Sequence, residues 1–202
     1  MARYTGPRTR ISRRFGVPIY GPSKYLERRN YGPGVHGPKS RRKTTDYGMG
    51  LIEKQKLRYY YGLLERQFRA AYERALKRRG VTGETLLQIL ETRLDNVVYH
   101  LGFANTRAGA RQMVSHGHIR VNGRKVNVPS YLCRAGDKVE LKDRSRKVVR
   151  INEALEAVDR RGVPAWLELD KGGFKGTVRA SPAREDITMP IQEQLIVELY
   201  SK

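Results

Sequence analysis

The chain has 202 residues, of which 41 are Lys or Arg and 20 are Asp or Glu, so its formal net charge is +21. Hydrophobic residues make up 39% of the sequence, which is enough to build a folded core. A compact protein of this charge repels itself unless a polyanion neutralises it, so the expected partner is nucleic acid and not a small-molecule substrate.

A membrane surface is the alternative partner for so much positive charge. It would require a strongly amphipathic helix, a lipidation signal or about 20 consecutive apolar residues, and none of these features is found in the sequence. The N-terminus MARYTGPRTRISRR lacks the apolar segment of a secretory signal. Cys133 is the only cysteine, so no internal disulfide can form. We therefore expect a cytoplasmic protein or its organellar equivalent, with a plastid as one option.

The N-terminal quarter of the chain has its own composition. Residues 1–50 contain twelve Lys or Arg, two Asp or Glu, eight Gly, five Pro and five Tyr. They show almost no periodic apolar pattern, and such a segment buries too little surface to offset the entropy of ordering. We predict an extended basic arm over residues 1–45 that orders on its partner.

Two helical stripes follow the arm. The first, within residues 51–79, is formed by Leu57, Tyr61, Leu64, Phe68, Ala71 and Ala75. Gly62 interrupts this stripe, which predicts two helices that meet near Tyr61, and Gly80 predicts the end. The second stripe is formed by Leu86, Leu87, Leu90, Leu94, Val97, Val98 and Leu101. It ends at Gly102, and a break is expected near Thr92.

A short helix is predicted over residues 107–116, with Thr106 as its N-cap and Gly117 as its end. One face carries Ala110, Met113 and Val114, and an adjacent polar strip carries Arg107, Arg111 and Ser115. We expect the first face to pack and the strip to bind. Arg107 also lies at the helix N-terminus, where backbone N–H groups and the positive dipole end favour phosphate. An ordinary solvated basic face is the alternative.

Short strands are predicted in the second half of the chain. Asn122-Gly123 after the alternating residues 119–121 is a strong signal for a hairpin, and a further strand is expected at Lys138–Leu141. Beyond a basic connector at 142–150, the spacing of Ile151, Ala154, Leu155 and Val158 predicts a helix that Gly162 and Pro164 end. A hairpin with strands at 166–169 and 174–178 and a final helix over 191–200 are predicted after it.

Candidate metal and catalytic groups have simpler explanations. His116 and His118 flank Gly117, but no Cys or carboxylate at ligand spacing accompanies them, so no metal and no other cofactor is predicted. Asp95 beside Arg93 is expected to form an ion pair or a cap and not to act as a catalytic acid. The sequence contains no GxxxxGK[ST] loop and no nucleophile beside a base, so we do not expect an enzyme.

One segment, residues 93–141, resembles a known domain. Its markers are Arg93-Leu94-Asp95, Gly102-Phe103, Thr106-Arg107, Ala110-Arg111, His116-Gly117, Val121-Asn122-Gly123, Pro129-Ser130 and Gly136-Asp137. They are typical of the small RNA-binding domain named after the fourth protein of the small ribosomal subunit. The flanks, including MARY at the N-terminus, Asp46-Tyr47-Gly48 and the C-terminal LIVELYSK, resemble the ribosomal protein four family of bacterial or organellar type, so the resemblance covers essentially the whole chain.

The resemblance implies a structural constituent of the small ribosomal subunit. Members of that family bind the 5′ domain of small-subunit ribosomal RNA at a multi-helix junction and help to nucleate assembly. They contact small-subunit proteins three and five, lie near the mRNA entry region and contribute to translational accuracy. Many relatives carry a zinc-binding cysteine cluster in the arm, but this sequence has only His36 there and no cysteine, so that site is not expected.

The resemblance also fixes the expected architecture. The fold class is α+β, with the extended arm at 1–45, a helical domain at 46–91 completed by 186–202, and an inserted α/β RNA-binding domain at 92–185. The residues expected to contact RNA are Arg3, Tyr4, Arg13, Arg14, Arg41, Arg42, Lys43, Tyr47, Lys54, Lys56, Arg58, Arg66, Arg69, Arg93, Arg107, Arg111, Ser115, His116 and Asn122. Base stacking is expected from arm tyrosines, among which Tyr20 and Tyr31 are further candidates.

Two other functions use the same small domain. An RNA-modifying enzyme would carry it as a tether beside a catalytic domain of some hundred residues, for which this chain has no room. A stress-response RNA binder on stalled large subunits would not need residues 1–90 or the C-terminal helix. The sequence therefore favours the ribosomal role.

Overall fold

The computed structural model describes residues 4–39 and 43–201. The contacts divide the chain into two compact units, one of Met1–Gly83 with Met189–Lys202 and one of Glu84–Thr188. Helices occur together with an antiparallel sheet, which confirms the α+β class. The predicted functional division at residues 45, 91 and 185 stays a prediction.

Helices account for most of the secondary structure of the described residues. In chain order they are α1 (Arg8–Phe15), α2 (Lys24–Arg28), α3 (Asp46–Tyr60), α4 (Glu65–Leu76), α5 (Thr82–Glu91), α6 (Leu94–His100), α7 (Arg107–Ser115), α8 (Val149–Arg161) and α9 (Glu193–Ser201). The strands are β1 (Ile119–Val121), β2 (Arg124–Lys125), β3 (Lys138–Leu141), β4 (Leu167–Asp170) and β5 (Lys175–Val178). Short 3₁₀ turns occupy Asp143–Ser145 and Arg184–Asp186.

The segment predicted as an extended arm contains α1 and α2. Ile11 of α1 and Ile19 after it are buried, and Gly16 ends α1 in the left-handed conformation. The extended form of the arm is therefore not confirmed over the described residues. The sequence does not predict these helices because each has too few apolar residues to form a recognisable stripe.

The first long stripe breaks where Gly62 predicts. Gly62 has a φ of +64°, a conformation that favours glycine, and α3 and α4 lie on either side of it. Tyr61 is buried as expected, but Leu63 is buried in place of Leu64. Leu64 is extended and only half-buried at the N-cap of α4, because the helical register ends at the break and restarts after it.

The C-terminal helix α9 completes the helical unit by packing on α3 and α4. The ring of Tyr200 stacks on that of Tyr72 with 4.6 Å between centroids, and its hydroxyl donates to Glu65 Oε1 at 2.8 Å. Gly50 allows the closest approach, since a Cβ there would lie 3.0 Å from the carbonyl oxygen of Leu195. The first helices and the last one thus lie in one unit.

The second unit contains a five-stranded antiparallel sheet in the order β2-β1-β3-β5-β4. The turn between β1 and β2 has positive φ at both Asn122 and Gly123, 50° and 77°, which confirms the predicted hairpin. The second predicted hairpin, β4–β5, does not stand alone. Its strand β5 pairs with β3, so both hairpins form one sheet.

One hydrophobic core joins this sheet to its helices. Its buried members include Val97 and Leu101 of α6, Ala110 and Val114 of α7, Val121 of β1, Val139 and Leu141 of β3, Ile151 and Leu155 of α8, and Val178 of β5. In the strands these residues alternate with polar ones, and Arg120 and Glu140 point to the other face. The core thus fixes α6, α7 and α8 relative to one another within the unit.

Candidate nucleic-acid interface

Helix α7 holds the polar strip that sequence analysis assigned to RNA. The Thr106 hydroxyl oxygen accepts a hydrogen bond from the Gly109 backbone N–H at 3.1 Å, which confirms the predicted N-cap. Ala110 and Val114 are fully buried in the core. Because this face is packed, the helix cannot rotate, and the strip beside it keeps a fixed direction.

Arg107 is the most firmly positioned residue of the strip. Its Nε donates to Asn96 Oδ1 at 2.8 Å, and its guanidinium carbon lies 4.4 Å from the centroid of the Tyr99 ring. Asn96 in turn donates to the backbone oxygen of Glu91 at 2.9 Å and to the Glu91 carboxylate. Asn96 and Glu91 are buried, so a polar chain from inside the domain sets the orientation of the guanidinium.

The remaining members of the strip differ in what they offer. Arg111 is half-buried and Ser115 is exposed, but the Ser115 hydroxyl donates to the Arg111 carbonyl oxygen at 2.9 Å. A contact to RNA could therefore use Ser115 only as an acceptor or after that bond is broken. His116 is exposed at the C-cap of α7.

A basic connector that was not among the predicted contacts lies against the end of α7. The backbone N–H of Lys142 donates to the His118 carbonyl oxygen at 2.9 Å, and His118 Nδ1 lies 2.9 Å from the Ser145 hydroxyl. Burial and then the neighbouring charges of His116 and Lys142 hold the pKa of His118 below its usual value. Arg144, which is exposed, lies on the same connector.

The charge run over residues 142–150 was visible in the sequence, but its position was not. Nothing in the local pattern indicates that it pairs with the residue after Gly117, since that contact spans more than twenty residues. In the fold the run packs against His118, two residues beyond His116 at the end of α7. It adds Lys142 and Arg144 to the candidate interface.

Two predicted contacts in this unit are used by the protein itself. Arg93 is buried and donates from Nε and Nη2 to the two carboxylate oxygens of Asp95, at 3.0 and 2.7 Å. Asn122 donates to Asp137 Oδ1 at 2.8 Å and accepts from the backbone N–H of Lys138 at 2.9 Å. Arg93 is therefore left out of the interface, and the side chain of Asn122 serves the hairpin.

The basic residues predicted on α3 are also paired inside their unit. Lys54 is buried and donates to Glu65 Oε1 at 2.7 Å, and Lys56 donates to Glu53 Oε1 at 2.5 Å. Arg58 lies 3.8 Å from Glu65 Oε2. Burial raises the pKa of Glu65, but the hydrogen bonds from Lys54 and Tyr200 outweigh it and lower the pKa.

Arg58 and Arg13 are predicted contacts that pack on tyrosine rings. The Arg58 guanidinium carbon lies 4.6 Å from the Tyr59 ring centroid. That of Arg13 lies 4.9 Å from the Tyr31 centroid, and Arg13 Nη2 donates to the Gly32 carbonyl oxygen at 3.1 Å. Both cations have a fixed direction, and Tyr31 has one face committed to Arg13.

Five predicted contacts in the first unit are exposed, namely Arg14, Lys43, Tyr47, Arg66 and Arg69. Tyr47 is 63% exposed, so it is accessible for stacking on a base. Tyr4 packs edge-on against Tyr59, and burial is the main cause that raises the pKa of Tyr20 to about 12. Arg3, Arg41 and Arg42 lie outside the described residues.

The comparisons with known proteins match the chain over its whole length. The model of the ribosomal protein S4/S9 N-terminal domain matches residues 3–91, and the S4 domain model matches residues 92–139. Small ribosomal subunit protein uS4 of Anaeromyxobacter sp. (strain Fw109-5) is 67% identical over 209 aligned positions, covering 100% of both chains. This chain belongs to the uS4 family.

Other uS4 relatives match over the same extent. The uS4 protein of Geotalea daltonii is 60% identical and that of Geobacter sp. (strain M21) is 59% identical, each over 100% of both chains. The uS4 relatives are ribosomal structural proteins and not enzymes, which confirms the predicted absence of an enzymatic role. The S4 domain match ends at residue 139, so the basic connector and α8 lie beyond it.

Metal clusters and membrane-spanning helices are not found in the described part of the chain. Within residues 4–39 and 43–201, no three His, Cys, Asp or Glu side chains are grouped in a way that could hold a metal ion. Over the same ranges, no helix is long and apolar enough to cross a membrane. Cys133 is buried, and burial is the main cause that raises the pKa of its thiol to about 12.

Proposed function

We propose that this uS4 family member binds small-subunit ribosomal RNA as a structural component of the small ribosomal subunit. The observation that carries the proposal is α7, whose packed face and N-cap hold Arg107 in one orientation at the helix N-terminus. A phosphate at that position would meet a guanidinium and the unsatisfied N–H groups of the first helical turn.

The mechanism is recognition of RNA shape. Exposed cations neutralise closely spaced phosphates, release counterions and so stabilise the folded form of the RNA. The proposed contacts are the strip of α7, the connector at its end, and the exposed residues Arg14, Lys43, Tyr47, Arg66 and Arg69 of the first unit. Each phosphate contact steepens the logarithmic salt dependence by about 0.7 to 0.9.

The finer assignment rests on the family resemblance. The RNA site would be a multi-helix junction in the 5′ domain, bound early enough to nucleate assembly. Small-subunit proteins three and five and the mRNA near the entry channel would be the neighbours, and translational accuracy would depend on the contact with protein five. The resemblance to uS4 proteins over the whole chain supports this assignment.

The first test removes two charges from the strip. Arg107→Ala combined with Arg111→Ala should weaken binding of a 5′-domain transcript and lower the slope of log affinity against log salt by about two, as two phosphate contacts are lost. Fluorescence anisotropy across a potassium chloride series measures both quantities. Circular dichroism checks that the fold is retained.

The matched control removes the same charge elsewhere. Lys171→Ala combined with Arg179→Ala deletes two exposed cations that are already paired with Asp159 and Glu168. This variant should keep the slope within experimental error of the parent. Equal slopes for the two double variants would reject the assigned face of α7.

A cellular test separates the ribosomal role from the stress-response alternative. Sucrose-gradient sedimentation of a cell extract should place the protein on small subunits in stoichiometric amounts. Its presence only on large subunits or in the soluble fraction would contradict the proposal. A crosslinking map to ribosomal RNA would then locate the junction.

A further inference from the structure

Tyr99 brings together two arginines that are distant in sequence. The guanidinium carbons of Arg107 and Arg161 lie 4.4 and 4.2 Å from the centroid of its ring. Since both distances are measured to one point, the two guanidiniums are no more than 8.6 Å apart. Arg107 begins α7 and Arg161 ends α8, and the shared core holds both helices in place.

Both guanidiniums are anchored on one side by neutral oxygen atoms. Arg107 Nε donates to the side-chain oxygen of Asn96 at 2.8 Å, and Arg161 Nη2 donates to the backbone oxygen of Tyr99 at 2.6 Å. A guanidinium has five N–H donors, and the bond from Arg161 fixes its group while using only one of them. The backbone oxygen that accepts from Arg161 carries no formal charge that would neutralise this cation.

The electrostatic surroundings of Arg161 favour an external anion. Over the described residues, no carboxylate lies within ion-pair distance of Arg161. Arg161 is exposed at the last turn of α8. The Glu91 carboxylate is buried, where it accepts from Asn96 and lies 3.2 Å from His100 Nε2. Arg161 is therefore oriented by the fold and lacks a carboxylate partner.

We propose that Arg161 binds an RNA backbone phosphate next to the one at Arg107, with the Tyr99 ring as the support of both guanidiniums. Planar guanidinium forks match phosphate oxygens. An arginine that is already held against an aromatic face loses less side-chain freedom when it binds phosphate. The inference rests on the proposed RNA-binding function and extends it to α8. The S4 domain match ends at residue 139 and does not include Arg161.

The test compares neighbouring arginines on one helix. Arg160 is exposed and lies next to Arg161 in α8, but it has no contact with Tyr99. Arg161→Gln should weaken binding of a 5′-domain transcript about tenfold at low salt and lower the salt slope by about one, as expected for a lost charged contact. Arg160→Gln should change affinity less than twofold.

The outcomes separate this inference from the proposed function. If the parent protein binds the transcript and Arg161→Gln behaves like Arg160→Gln, the Arg161 site is wrong while RNA binding stands. If the parent protein does not bind the transcript at low salt, the proposed function itself fails.

The support by Tyr99 is tested without removing charge. Tyr99→Leu keeps an apolar side chain at the edge of the core and should weaken RNA binding severalfold with an unchanged salt slope, because both cations remain but lose their support. Tyr99→Phe keeps the ring and should bind like the parent. Thermal unfolding of both variants confirms that they are folded, and parent-like affinity of a folded Tyr99→Leu would overturn the role of the ring.

Discussion

Helices α3 and α7 carry similar basic residues but use them differently. On α3, Lys54 and Lys56 donate to the carboxylates of Glu65 and Glu53 at 2.7 and 2.5 Å. On α7, Arg107 Nε donates to the amide oxygen of Asn96 at 2.8 Å, and its guanidinium carbon lies 4.4 Å from the centroid of the Tyr99 ring. Structural cations are therefore buried against a carboxylate, as Lys54 and Lys56 are, with side chains only 10% and 12% exposed.

The largest expected effect is at the most buried cation. Arg93 and Asp95 have side chains only 9% and 7% exposed and form a two-pronged ion pair. Arg93→Met should lower the free energy of unfolding by about 3 kcal/mol, since it leaves a buried carboxylate without its partner. Urea denaturation measures the loss, and the RNA salt slope should not change.

A paired variant sharpens that prediction. Arg93→Met combined with Asp95→Leu removes both charges and should recover a large part of the lost stability. If Arg93→Met instead leaves stability intact and lowers the salt slope by about one, Arg93 is an RNA contact, as the sequence first suggested, and burial against a carboxylate does not mark a structural cation.

A smaller stability loss is expected at Lys54. Glu65 is 45% exposed and keeps access to water, so Lys54→Met should cost about 1 to 2 kcal/mol and should not alter the salt slope. Lys77→Met makes the same chemical change at an exposed position and should have little effect on unfolding. A drop in slope for Lys54→Met would show that its charge reaches RNA.

Arg69 is expected to show the reverse behaviour. Its side chain is 71% exposed and lies 3.3 Å from Glu73 one turn away, a pair of little energetic weight. Arg69→Gln should change the free energy of unfolding by no more than about 0.5 kcal/mol. The salt slope for the 5′-domain transcript should fall by about one, and an unchanged slope would remove Arg69 from the interface.

The smallest effect is a dependence of stability on pH. Burial lowers the pKa of both His100 and His118, and it is the largest cause of the shift in each case. The unfolded chain then binds more protons than the folded one, so stability is complete above the ordinary histidine pKa near 6.5 and declines as the pH falls below it. Thermal unfolding of His100→Gln between pH 7.5 and 5.5 should show a shallower decline than the parent, and an equal decline would contradict this role of His100.

The sequence predicted the local elements well because their signals are local. The helix break at Gly62, the N-cap at Thr106 and the turn at Asn122-Gly123 each depend on a few adjacent residues, and all three are observed. The core stripe of α5 and α6 is likewise buried as its spacing predicts.

The spacing of residues along the sequence does not predict which distant residues pair with one another. The partner of Lys54 lies on another helix, the connector at Lys142 pairs with the residue after Gly117, and β5 joins a strand from the other hairpin. Such pairings depend on tertiary packing that no window of sequence contains. For the same reason, a count of basic residues predicted a nucleic-acid partner but not which cations face it.

The packing of α9 on α3 and α4 has a consequence for synthesis. The two parts of the first unit are separated along the chain by the whole of Glu84–Thr188, so a ribosome must produce that second unit before it produces α9. Until then, Tyr72 lacks the Tyr200 ring and Gly50 lacks the backbone of Leu195. On a nascent chain, the unit made second can be complete first, while the unit made first waits for its last helix.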